Sequence, residues 1–153
     1  MYIANSVTTI VPAIPDTLKQ YVKVFSVCVL HESDIAPFSA AFNALAAYMV
    51  DHPFPQPNHG VKIIFCDENL PIYANDDDAV GGFDVFAYYH MDKLRTKNTV
   101  QIFTAALEEL CHALYVVHDE VRVKHLVYDV ALTILPGISF YDLYSQHIPA
   151  PDL

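Results

Sequence analysis

Two amphipathic helices joined by a very short turn are the feature of this chain that most constrains its fold. Residues 103–117 and residues 120–135 each place apolar side chains at helical spacing, and Pro136 and Gly137 end the second run. The apolar positions are Phe103, Leu107, Leu110, Leu114 and Val117 in the first run, and Val123, Leu126, Val127, Val130 and Ile134 in the second. Because so short a turn sends the chain back alongside itself, the sequence predicts an antiparallel helical hairpin.

An earlier helix is indicated by the helical spacing of apolar residues in residues 34–50. Ser33 or Asp34 is suited to cap it, and Pro37 falls in its first turns, where proline is tolerated. Three prolines between positions 53 and 57 then stop it. Helices are therefore expected on both sides of the central part of the chain.

Short apolar runs between the helices predict strands. Residues 61–66 and 83–90 have strand composition. Residues 22–30 suit either a buried strand or a helix end, and residues 99–103 suit either a third strand or the opening of the next helix. The predicted fold is α+β, with a short, mostly antiparallel central sheet flanked by N-terminal and C-terminal helices, in a single domain over residues 1–153.

The composition predicts a folded protein that has no nucleic-acid or membrane partner. Hydrophobic residues make up 54% of the chain, and 18 acidic against 8 basic side chains give a formal charge of −10, which repels phosphate backbones and anionic membrane surfaces. Cys28, Cys66 and Cys111 lie in apolar runs without a C-x-x-C pair, which is typical of free thiols in a reducing compartment. Since no signal-peptide pattern is visible and the longest apolar run is residues 24–30, the chain is expected to be soluble and cytoplasmic.

The most distinctive chemical pattern is Leu-Glu-Glu-Leu-Cys-His at residues 107–112. Glu108 and His112 are four positions apart, so on a helix they lie on one face, one turn apart. Carboxylates and imidazoles bind divalent metal ions, and Glu109 between them is placed to take a proton from water. The pattern therefore indicates a metal site with its own general base.

Further residues are predicted to converge on this helix. The short turn would carry Glu120 towards the first helix, where its carboxylate is a candidate third metal ligand. Tyr115 on the helix, or Tyr89 on the preceding strand, is a candidate to support a tetrahedral oxyanion. Strand residues with an aromatic edge would also give a peptide substrate a strand to lie along.

Two other interpretations of the same residues stay open. Glu108, His112 and Tyr115 also suit the solvated polar face of an ordinary amphipathic helix. The E-x-x-H unit of Glu109 and His112 also occurs in di-iron four-helix bundles, but those sites need a second such unit, and the sequence contains none.

The arrangement resembles the minimal core of the zincin metallopeptidases, in which strands precede a helix carrying H-E-x-x-H, a turn and a second helix. The resemblance covers residues 61–134 and rests on E-E-x-x-H in place of H-E-x-x-H. It implies that Glu109 is the general base, His112 the second histidine ligand and Glu120 a downstream acidic ligand. Glu108 takes the position of the first ligand, where a carboxylate favours harder ions, so the implied cofactor is a divalent metal, zinc or manganese.

Two functions of different classes are consistent with this resemblance. The first is a metal-dependent, peptidase-like hydrolase that acts on a peptide or protein. The second is a non-catalytic relative that uses the scaffold as a protein-binding module, which the departure at Glu108 and the ten tyrosines and nine phenylalanines favour. A homodimer that covers apolar surface is compatible with either function.

Overall fold

The computed structural model describes residues 2–4, 6–67, 73–75 and 85–144, with side chains in residues 6–67 and 85–144. Its strands are β1 (Tyr2–Ala4), β2 (Val22–Ser26), β3 (Val61–Cys66), β4 (Tyr73–Asn75) and β5 (Phe86–His90). Its helices are α1 (Glu32–Met49), α2 (Met91–Leu94), α3 (Thr99–Leu114), α4 (Glu120–Leu132) and α5 (Phe140–Tyr144), and a 3₁₀ helix spans Asp16–Leu18. The predicted α+β class is confirmed.

The central sheet contains three parallel strands in the order β2-β3-β5. The prediction of a mostly antiparallel central sheet is therefore wrong. The reason is the connection between β2 and β3: helix α1 lies between them and acts as a crossover, which returns the chain to the end of the sheet where it began. The antiparallel pairing in the described part of the chain joins the short strands β1 and β4, which form a separate ribbon.

The helices pack against one face of this sheet. Alternate residues of β3 point to opposite sides, so that Ile63 and Phe65 join the large core formed with the helices, whereas Ile64 and Cys66 join a small second cluster on the other face. The ring of Phe38 on α1 meets the rings of Phe65 and Tyr89 edge-to-face, with centroids 4.8 Å away in both cases. Helix α1 is thereby fixed over the centre of the sheet.

The helical hairpin predicted from the sequence is present as α3 and α4. Helix α3 begins at Thr99, so residues 99–103 open the helix and do not form a strand. Asn98 and Gln101 form a capping box, in which each side chain accepts a hydrogen bond from the other residue's backbone N–H, and this fixes the start. Val116, with φ at 54°, turns the chain immediately after α3, and the Asp119 carboxylate then accepts from the N–H of Arg122 to cap α4.

An ion pair between the buried Asp34 carboxylate and the partly exposed Arg95 joins α1 to the segment that follows β5. The Asp34 side chain is 7% exposed, and it accepts hydrogen bonds from Arg95 Nε at 3.1 Å and Arg95 Nη2 at 2.9 Å. The same carboxylate accepts from the backbone N–H of His31 at the start of α1. Burial raises the pKa of Asp34, but these hydrogen bonds outweigh it, so the pKa lies below its usual value. Within the described residues, no helix has the length and apolar character needed to cross a membrane.

Candidate functional site

The polar side of α3 carries the predicted site residues. Ala106, Leu107, Leu110, Cys111 and Leu114 are buried in the core, which leaves Glu108, Glu109 and His112 along the other side of the helix. The helix start and the apolar stripe together set this rotation.

Glu108 is held by a basic residue of the neighbouring helix. Lys124 Nζ on α4 lies 3.2 Å from Glu108 Oε1, and each side chain is 21% exposed. The same ammonium group lies 5.4 Å from the centre of the Tyr144 ring on α5. The carboxylate in the position of the first metal ligand is therefore already neutralised by a protein cation.

His112 and Glu120 do come together, as the tight turn predicted. His112 Nε2 lies 3.5 Å from Glu120 Oε1, although the Glu120 side chain is 72% exposed. His112 Nδ1 is 2.5 Å from the carbonyl oxygen of Val117, and because a carbonyl only accepts, this nitrogen carries the proton. A metal-ligating histidine is commonly oriented in this way, with Nε2 left for the ion.

The donor set nevertheless falls short of a metal centre. Among the residues that the structure describes, no three His, Cys, Asp or Glu side chains are grouped so as to hold an ion. A catalytic zinc site uses three protein ligands. His112 and Glu120 supply two, whereas the pair with Lys124 holds Glu108. The predicted set of Glu108, His112 and Glu120 is therefore not assembled as a unit.

Glu109 lies beside a groove between α3 and strand β5. The groove has a volume of about 220 Å³ and is lined by Tyr88, Tyr89, His90, Lys93, Leu94, Ala105, Glu108 and Glu109. Burial raises the pKa of Glu109, and the carboxylates of Glu108 and Glu120 raise it further, against the opposing effect of His112. This carboxyl therefore holds its proton more readily than an ordinary glutamate.

The hydroxyls of the two candidate oxyanion donors, Tyr115 and Tyr89, both donate hydrogen bonds to backbone carbonyls. The Tyr115 hydroxyl donates to the carbonyl of His52 at 2.7 Å, and the Tyr115 ring packs edge-to-face on Phe54. The Tyr89 hydroxyl is buried and donates to the carbonyl of Ala106 at 2.8 Å. Burial raises the pKa of both phenols. Both tyrosines therefore connect structural elements and do not present a hydroxyl to the groove beside Glu109.

Sequence reasoning missed Lys124 and the position of β5 at one end of the described strand order β2-β3-β5. Lys124 is four positions after Glu120, so both lie on one face of α4, and a hairpin that brings Glu120 to α3 also brings Lys124 there. The four-residue spacing of Glu120 and Lys124 was therefore the sequence signal that could have identified Lys124 as a neighbour of α3. Comparison of the chain with models of protein families, with curated proteins and with solved structures found no match.

Proposed function

We propose that the protein is a non-catalytic binding module that takes up an extended segment of another protein along strand β5. The observation that carries this proposal is the position of β5 at the rim of the sheet, beside the groove under α3. An exposed sheet edge accepts a peptide as an additional strand through main-chain hydrogen bonds, and neighbouring pockets then select its side chains.

The backbone of β5 supports this mode of binding. The N–H of Lys62 on β3 donates to the carbonyl of Val85, and successive residues of a strand direct their backbone groups to opposite sides. Ala87 and Tyr89 therefore face β3, whereas Tyr88 turns its N–H and C=O outward. No other described strand lies along that edge. The Tyr88 side chain, 49% exposed, adds an aromatic contact surface.

The non-catalytic part of the proposal is supported by the ion pair of Glu108 with Lys124. Glu108 could serve as a third metal ligand only if its carboxylate left Lys124. The hydroxyls of both candidate oxyanion donors, Tyr89 and Tyr115, already donate to backbone carbonyls. The polar side of α3 is thus stabilised by contacts within the protein. A cytoplasmic location belongs to the same proposal, supported by three free cysteines whose thiol pKa values are all raised by burial.

Replacement of one backbone N–H tests the binding mode. Tyr88→Pro removes an outward N–H while leaving the bonds between β3 and β5 in place, because proline is tolerated on the open side of an edge strand. Tyr88→Thr is the matched control, since it removes the ring but keeps the N–H. Peptides selected from a random displayed library against the wild-type protein should bind the Tyr88→Thr variant and lose at least tenfold in affinity for the Tyr88→Pro variant.

Two outcomes of this selection would contradict the proposal. One is that no peptide is enriched, and the other is that the enriched peptides bind the Tyr88→Pro variant as well as they bind the wild type. A second copy of the chain is a competing occupant of the same edge. It would appear as a dimer in analytical ultracentrifugation that becomes a monomer in the Tyr88→Pro variant.

A metal-dependent hydrolase is the second candidate, favoured by the approach of His112 Nε2 to Glu120 and by the raised pKa of Glu109. Elemental analysis of the purified protein distinguishes the two. Stoichiometric zinc or manganese that is lost in the His112→Ala variant would favour the hydrolase, and Glu109→Gln should then keep the metal but lose turnover. A folded sample that takes up no metal from buffer containing zinc and manganese favours the binding module.

A further inference from the structure

The groove beside Glu109 continues past strand β5. A second pocket of about 360 Å³ adjoins it, and Leu94, Ala105 and Glu108 line both pockets. One wall of the two pockets together comes from the end of β5, from α2 and from the turn after α2, and the other wall comes from α3. We call the two pockets together the α2–α3 groove. A segment that pairs with β5 can therefore continue between α2 and α3.

The two ends of the α2–α3 groove carry charges of opposite sign. Glu109 lines the end beside β5, and Lys97 lines the other end. Within the described residues, neither side chain forms an ion pair or a hydrogen bond. Between them, Lys124 neutralises Glu108, and Lys93, which also lines the groove, already interacts within the protein. The groove therefore has one unmatched negative end and one unmatched positive end.

The surroundings of Glu109 favour a cation beside it. The carboxylates of Glu108 and Glu120 add to the effect of burial in raising the pKa of Glu109, and His112 acts in the opposite direction. A carboxyl group whose pKa is raised by neighbouring carboxylates lies in a negative potential, which a cation from a partner would reduce. An ammonium or guanidinium group is the cation that a protein segment can supply.

The distance between the two charged ends suits an extended segment. From Thr99 to Glu109, helix α3 rises by about 15 Å, and Lys97 lies just before the start of the helix. The two positions are thus about 15–20 Å apart along the groove. Since an extended chain advances about 3.3 Å per residue, about four to six residues of a partner segment would span this distance.

We infer that the segment bound along β5 carries a basic residue that pairs with Glu109 and, about four to six residues away, an acidic residue that pairs with Lys97. This inference rests on the proposed binding function and adds the chemistry of the partner to it. Leu94 and Ala105 provide apolar contacts for the residues between the two charges. Charge complementarity of this kind sets the register of a bound segment and discourages segments with the opposite order of charges.

The peptides selected from the displayed library test this charge pattern. Those that bind the wild type and lose affinity for the Tyr88→Pro variant should contain Lys or Arg and, about four to six positions away, Asp or Glu. For such a peptide, Glu109→Gln and Lys97→Gln should each weaken binding about two- to fivefold, the range of a partly exposed ion pair.

Changes in the peptide identify which charge pairs with which residue. A peptide whose basic residue is replaced by glutamine should bind the Glu109→Gln variant and the wild type equally. A peptide whose acidic residue is replaced by glutamine should bind the Lys97→Gln variant and the wild type equally. Asp129→Asn is the matched control, since it removes a carboxylate from an exposed position on α4 that does not line the groove, and it should keep the full affinity.

The possible results separate this inference from the function on which it rests. Peptides that depend on the N–H of Tyr88 but lack the charge pattern, or that bind the Glu109→Gln and Lys97→Gln variants as tightly as the wild type, would overturn the inference and leave strand pairing intact. An equal loss in Asp129→Asn and Glu109→Gln would also overturn it, because the net charge of the chain would then explain the effect. A selection that enriches no peptide would overturn both the inference and the proposed function.

Discussion

A histidine placed at position 108 should turn the polar side of α3 into a zinc site. The change is Glu108→His, which completes H-E-x-x-H on the helix. Tetrahedral zinc, with bonds of about 2.0–2.2 Å to nitrogen and oxygen, holds two ligand atoms about 3.4 Å apart. His112 Nε2 and Glu120 Oε1 are already 3.5 Å apart. An imidazole at position 108, one helical turn from His112, would supply the third ligand.

Two opposing effects on stability determine how far the Tm of the Glu108→His variant should change. Loss of the pair of Glu108 with Lys124, in which both side chains are mostly buried, costs about 1 kcal/mol and lowers the Tm by about 2–4 °C in a protein of this size. Zinc at about 100 times its Kd then adds about 2.7 kcal/mol, which raises the Tm by about 5–10 °C. The variant should therefore melt below the wild type in chelator and above it in zinc.

Differential scanning fluorimetry in EDTA and in buffered zinc measures this crossover. The double variant Glu108→His with His112→Ala is the control, and its Tm should not respond to zinc. A Glu108→His variant with the same Tm in both buffers would show that positions 108, 112 and 120 do not face a common point. A large zinc response in the wild type, lost in His112→Ala, would instead show that the unaltered site binds zinc through His112, which would favour the hydrolase over the binding module.

Three smaller predictions concern stability. Asp34→Asn should lower the free energy of unfolding by about 2 kcal/mol at pH 7, measured by urea denaturation, because it removes the ion pair with Arg95. Since the folded-state pKa of Asp34 is lowered, the stabilisation from this pair is present above the unfolded-state pKa and disappears as the pH falls through the folded-state pKa. An equal loss at pH 2 would be inconsistent with the pair. Val116→Gly should raise the free energy of unfolding by about 0.5–1 kcal/mol, since a β-branched residue at φ 54° is strained; a lower urea midpoint would refute this. Glu109→Gln should stabilise the protein at neutral pH and not below about pH 4. The folded-state pKa of Glu109 is raised, so the wild type loses stability as the pH rises through that pKa, whereas glutamine does not ionise. Urea midpoints of both proteins measured against pH test whether the difference has this direction.

Helices α1, α3 and α4 were predictable because each has a strong local signal, whereas the short helices α2 and α5 were not predicted. The stripe and caps of α3 and α4 and the prolines after α1 act over a few residues, and tertiary packing did not override them. Strand direction has no such local signal. Residues 22–30 suited either a strand or a helix end, and only the strand choice gives a strand-helix-strand order from β2 to β3, which forces a parallel pair. That undecided segment accounts for the missed β2–β3 pair, and the parallel pair of β3 with β5 was missed although both strands were predicted.

The sequence could predict only those contacts of the candidate site that follow from the path of the backbone. The short turn after α3 fixes the approach of Glu120 to His112, and both residues flank that turn. The partner of Glu108 depends on how α4 is rotated about its axis and on which side-chain conformations the two helices allow. Sequence spacing puts Lys124 on the correct face of α4, but it does not decide whether Glu108 pairs with Lys124 or turns towards His112.

Lys124 is the cation that balances part of the negative charge on the polar side of α3. Glu108, Glu109 and Glu120 lie near one another, and the carboxylates of Glu108 and Glu120 both raise the pKa of Glu109. Such a cluster needs a positive partner to be stable in the ionised form. The Lys124 ammonium group neutralises Glu108, whereas Glu109 carries a raised pKa. An ion that took Glu108 as a ligand would therefore have to displace the Lys124 ammonium group from that carboxylate.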